Sequence, residues 1–116
     1  MTKEQFLQET GLSEDQFYGR VVIKGTLDLD RLTSIPDGFH PVVERSLWLN
    51  SLTSIPEGFN PTVGNNLWLD GLTSIPEGFN PTVGYDLHLN SLTSIPEGFK
   101  PTNVKGSIYI NGNQYK

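Results

Sequence analysis

The sequence predicts a mainly β protein, a parallel β-solenoid of about four and a half coils behind a short α-helical N-terminal cap. Three observations predict it. A repeated unit opens at Leu27, Leu47, Leu67, Leu87 and Ile108, so successive copies start 20, 20, 20 and 21 residues apart. A fixed period of this size marks a stacked repeat rather than a folded-over globule. Each full copy joins an alternating Leu-x-Leu run to Pro and Gly at constant offsets, a short strand followed by enforced corners. Residues 1–20 are polar and carry no part of the unit. The chain of 116 residues is long enough for one domain, divided into a cap over 1–20 and a repeat region over 21–116.

The cap reads as two short helices. Thr2 with Gln5 makes a capping box ahead of Phe6 and Leu7, and Ser13 with Gln16 makes a second ahead of Phe17 and Tyr18. Gly11 separates the helices and Gly19 ends the second. Phe6, Leu7, Leu12 and Phe17 supply the faces that bury. An open solenoid end exposes apolar side chains and unpaired backbone, so a polar-backed cover is needed there. A separate partner-binding helical hairpin is the alternative, and it would call for a longer apolar face. Residues 21–25 align with the tail of a repeat, Ile23 taking the place of Val43, Val63 and Val83.

Within a copy, Leu67 and Leu69 point inward and Trp68 outward. A second strand is expected over residues 72–75, Leu-Thr-Ser-Ile, with a bend at Thr73 or Ser74. Pro76 stops pairing, and Pro-Glu-Gly fits a turn with proline second and glycine fourth. Six inward positions result: Leu67, Leu69, Leu72, Ile75, Phe79 and Val83. Stacking places Phe39, Phe59, Phe79 and Phe99 in one core ladder and Ile35, Ile55, Ile75 and Ile95 in another. The thin stripe explains a hydrophobic content of only 35%.

The repeat frays at its end. Ile108 and Ile110 keep the strand, but Asn113 stands where a leucine belongs. Either this polar half-coil is itself the cap, or a second copy covers it. In the second case residues 107–111 form an exposed edge that templates pairing, and a homodimer through the C-terminal coil is the alternative to self-capping.

The Leu-x-Leu…Leu-x-x-Ile-Pro pattern resembles the leucine-rich repeat, and the LTSIPEGFNPTVG-type units resemble those of leucine-rich-repeat-like solenoid proteins of gut bacteria and their phages. The likeness covers residues 27 to about 111. It departs from the leucine-rich repeat where only Asp70 and Gly71 separate Leu69 from Leu72, which removes the asparagine turn and leaves a flatter solenoid as open as a curved horseshoe. The resemblance implies recognition of another macromolecule by the residue inside Leu-x-Leu, and it implies no catalytic residue. A cytoplasmic setting, in a bacterium or a phage-infected host cell, is expected. Consistent with that, no basic-then-apolar leader is visible, no apolar run spans a membrane, and there is no cysteine.

The candidate binding column is the outward one, Asp28, Trp48, Trp68, His88, Tyr109. It differs in nearly every copy while other columns agree, and aromatics on an open face are strong anchors. The same rings could instead pack across strands, or be covered by the cap or a second chain. Trp rows also bind sugars by stacking. Beside them runs Asp30, Asn50, Asp70, Asn90, Asn111, either a hydrogen-bonding ladder or a binding rim. A third column, Asp37, Glu57, Glu77, Glu97, lies at the Pro-x-Gly corner, where splayed acids are tolerated in solvent. No Lys or Arg occurs between residues 46 and 99, and the formal net charge is −5.

An acidic chain argues against nucleic acid as partner and for a basic protein surface. His40 and His88 fall in different columns, no nucleophile–His–acid set is present, and no phosphate loop or metal-ligand spacing appears, so neither catalysis nor a cofactor nor a metal is expected. The function expected is non-catalytic protein binding through Trp48, Trp68, His88 and Tyr109, with Asn50, Asp70 and Asn90 alongside. The alternatives are a phage-type anti-defence inhibitor acting by acidic mimicry on a basic groove, and a purely structural, self-associating repeat.

Overall fold

A computed structural model of the chain describes residues 1–115. Two helices, α1 (Lys3–Thr10) and α2 (Glu14–Phe17), precede nine very short strands. These are β1 (Leu27–Asp28), β2 (Val42–Val43), β3 (Leu47–Trp48), β4 (Thr62–Val63), β5 (Leu67–Trp68), β6 (Thr82–Val83), β7 (Leu87–His88), β8 (Ile108–Ile110) and β9 (Asn113–Gln114). The coils stack as a parallel β-solenoid of about four turns. One sheet runs in the order β1-β3-β5-β7-β8-β9 and the other β2-β4-β6. Register follows the repeat: Leu27 lies beside Leu47, Leu47 beside Leu67, Leu67 beside Leu87 and Leu87 beside Ile108. The second sheet is extended by isolated parallel bridges from Ile23 to Val43 and from Val83 to Val104.

The second strand does not fall on Leu-Thr-Ser-Ile. The amide of Leu72 donates to the carbonyl of Leu69 at 3.2 Å, and the same turn recurs in every full coil. With only two residues between those leucines, the chain must reverse there, so Thr73 and Ser74 are carried out to solvent. The pairing strand is instead the Thr-Val segment, where the second sheet forms. The corner also differs in phase. Phe79 N–H donates to Pro76 C=O at 3.3 Å, which makes proline first and glycine third, and Gly78 has φ +80°. A positive φ at the third turn position favours glycine, since it has no Cβ to clash.

The six inward positions of the central coil are all buried, none above 7% exposed. The phenylalanine ladder holds from Phe39 to Phe99. Aromatic rings close it at both ends. Phe6 and Phe17 lie 4.6 and 5.4 Å from Phe39, and Tyr115 lies 5.7 Å from Phe99 while its hydroxyl donates to the Phe99 carbonyl. Burying one such ring contributes on the order of 2 kcal/mol. The isoleucine ladder does not hold: Ile35 and Ile75 are buried, Ile55 is half-buried and Ile95 is 42% exposed. Among the described residues no further coil lies over Ile95, and the chain turns back after β8.

Both capping boxes form in the cap, and Gly11 ends α1 in the left-handed conformation at φ +74°. Phe6 and Phe17 are buried, with Leu7 and Leu12 partly so. The C-terminus corrects a second expectation. Asn113 is not a failed leucine but the first residue of a return strand. Asn111 (φ 54°) and Gly112 (φ 78°) form a two-residue turn, and β9 pairs antiparallel with β8. Both central residues with positive φ define the tight hairpin turn that Asn-Gly favours. The 107–111 edge is therefore paired by the chain's own tail rather than left open. No helix among the described residues is long and apolar enough to cross a membrane.

Candidate functional site

Because the strands are parallel and in register, position 2 of each strand forms one straight column on the six-stranded sheet. Asp28 lies beside Trp48, Trp48 beside Trp68, Trp68 beside His88 and His88 beside Tyr109. The neighbouring inward leucines are fully buried, so the alternation forces these side chains out. Trp48 is 40% exposed, and Trp68, His88 and Tyr109 are half-buried.

The rings stack on one another. Trp68 and His88 lie 3.6 Å apart between centroids at 3° between planes, and His88 and Tyr109 lie 5.4 Å apart at 14°. Stacking along the solenoid axis uses the ring faces and turns the edges to solvent. That geometry covers the facing sides of Trp68, His88 and Tyr109. Trp48 alone of the four joins no ring stack among the described residues. Burial between its neighbours pushes the His88 imidazole below its ordinary pKa of 6.5, while the Asp70 and Asp86 carboxylates pull the other way.

Two polar ladders border the ribbon. On one side Asn50 N–H donates to Asp30 Oδ1 (2.8 Å), Asp70 N–H to Asn50 Oδ1 (3.0 Å) and Asn90 N–H to Asp70 Oδ1 (3.0 Å). Each side chain thus satisfies the backbone of the next coil, and Asn90 Oδ1 ends the series by accepting from Gly112 N–H. Asn111 breaks the pattern, its amide donating to the Leu92 carbonyl. Asn50, Asp70 and Asn90 are therefore occupied in holding coils together.

The other ladder went unrecognised in the sequence. Ser46 N–H donates to Thr26 Oγ1, Asn66 N–H to Ser46 Oγ, Asp86 N–H to Asn66 Oδ1 and Ser107 N–H to Asp86 Oδ1. Its signal was present: a Thr, Ser, Asn or Asp immediately precedes the first core residue of every copy. Tyr85, 60% exposed, was likewise not singled out.

The acidic column Asp37, Glu57, Glu77, Glu97 is solvent-exposed at the corner turns, away from the aromatic ribbon. Between two of these turns opens a cleft of about 570 Å³, bordered by Glu77, Phe79, Glu97 and Lys100. His40 is exposed and sits at the coil position of Asn60 and Asn80, separate from His88. Among the described residues no group of three or more His, Asp or Glu side chains is placed to hold a metal ion. No family model matches the chain, and no curated protein or solved structure matches it.

Proposed function

We propose that the protein is a non-catalytic binding module that recognises another protein through the ribbon of Trp48, Trp68, His88 and Tyr109. One observation carries this reading. Of the three outward columns on the six-stranded sheet, the two flanking ones hydrogen-bond the next coil, whereas the four rings between them make no backbone hydrogen bond among the described residues and are the largest side chains. Trp48 at 40% exposure leaves apolar area in water that the fold does not use. Large rigid rings of this kind supply contact area at low entropic cost.

Affinity capture from the native host's lysate, with light scattering for mass, tests the reading on wild type and Trp48→Ala/Trp68→Ala. A protein captured by wild type and lost by the double variant is the expected result. A wild-type dimer that the double variant dissociates, with no other partner, would assign the ribbon to self-association and overturn it.

A further inference from the structure

We infer that the open indole of Trp48 and the Asp28 carboxylate beside it form a receptor for an arginine side chain, so that the partner meets the ribbon with a basic, arginine-bearing segment. This rests on the ribbon being the binding face and adds the chemistry of what it binds. Asp28 and Trp48 are register partners on adjacent parallel strands, about 4.8 Å apart along the sheet. Asp28 is exposed. Its Oδ1 accepts from the Asp30 backbone N–H at 3.0 Å, and its other oxygen bonds nothing among the described residues. Trp48 has no ring stacked on it, unlike Trp68. An aromatic face next to a carboxylate matches a guanidinium, which stacks flat and donates from its edge.

The charge around this pair selects the same partner. Asp28, Asp30, Asp70 and Asp86 lie on or beside the ribbon, and none is ion-paired among the described residues. The basic groups nearest in sequence are engaged elsewhere. Lys24 and Arg45 share the single Glu44 carboxylate, and Arg31 is turned to the Glu9 carbonyl, where it keeps its charge. A second copy presenting the same face would set carboxylates against carboxylates, and a nucleic-acid backbone would be repelled likewise. A cationic protein segment satisfies both the field and the open ring.

Titration of the full chain with an octa-arginine peptide, followed by tryptophan emission and calorimetry, tests the inference. Octa-lysine and octa-glutamate serve as comparison probes. Octa-arginine is expected to bind and to change the emission of a Trp68→Phe variant, in which Trp48 is the sole reporter. Octa-lysine should bind more weakly, since an ammonium has no planar face. Trp48→Ala and Asp28→Asn should each weaken octa-arginine roughly fivefold. The Asn variant keeps the oxygen that bonds Asp30, so it leaves the local fold in place.

Glu57→Gln removes the same charge from the distant corner and should weaken binding less than about twofold. Equal losses in Asp28→Asn and Glu57→Gln would show diffuse attraction and overturn the receptor, as would a silent Trp48. If octa-arginine fails while lysate capture still depends on Trp48 and Trp68, the arginine receptor is wrong and the protein-binding reading stands.

Discussion

Asp70 separates a structural ladder from a binding rim. Its Oδ1 accepts from both the backbone N–H (3.0 Å) and the side-chain Nδ2 (3.1 Å) of Asn90, while its own N–H donates to Asn50. Asp70→Ala removes the acceptor and leaves a partly buried amide without a partner. That loss costs about 1–2 kcal/mol, toward the lower end for a buried group because the site is half-exposed. For a chain of this size it lowers the melting temperature by about 4–8 °C. Asp70→Asn keeps an oxygen at the same place, as Asn50 already does one coil earlier, and should change stability by less than about 0.5 kcal/mol. Thermal and urea unfolding of the two variants decide the matter. Equal destabilisation by Asn and Ala would trace the effect to the charge and refute the ladder. A neutral Asp70→Ala would show that the coils do not rely on it.

Two further outcomes are expected. Phe59→Ala empties the middle of the ring ladder, where Phe59 is 3% exposed and stacked 6.0 Å from Phe39, and should cost about 3–5 kcal/mol in urea unfolding; a cost near that of a surface change would mean the ladder is not cooperative. For His88, the folded pKa lies below the unfolded 6.5, so the unfolded state binds more protons between the two values. The stabilisation is therefore complete above pH 6.5 and declines as pH falls toward the folded value. Glu14 and Glu44, lowered from 4.5 by the Lys3 hydrogen bond and by the Gly25 backbone hydrogen bond respectively, lose theirs only at lower pH, leaving the window just below 6.5 to His88. Melting temperatures of wild type should drop across that window and those of His88→Phe should not; parallel curves would exclude the imidazole as the cause.

Period and alternation were enough to find the coils, the inward residues and both capping boxes, because each depends on local spacing. What the sequence concealed was where hydrogen bonds close. Leu-Thr-Ser-Ile has strand formers, yet the two-residue gap before Leu72 demands a turn, and closure overrides propensity. The Thr-Val segment looked like a mere return to the core, although parallel pairing needs only two residues when every coil repeats the same path. The Asn-Gly at 111–112 is a strong hairpin signal that the repeat register hid, since aligning Asn113 with a core leucine made the return strand look like decay. Ile95 was legible as a ladder member but not as its exposed end, for exposure depends on what lies beyond the last copy.

The contrast between columns explains why the ribbon is the place to look for function. Positions before and after each strand core are confined to Ser, Thr, Asn and Asp because each must accept an amide from the next coil. The middle position has no such duty, so it is free to hold Asp28, two tryptophans, a histidine and a tyrosine in turn. Within it, stacking orders only the C-terminal half, from Trp68 through His88 to Tyr109. The other half keeps an indole that is 40% exposed beside a carboxylate with no ion pair among the described residues. A purely structural ribbon would gain most by continuing the stack to its first strand. The stack stops at Trp68, and Trp48, set between Trp68 and the Asp28 carboxylate, does not join it.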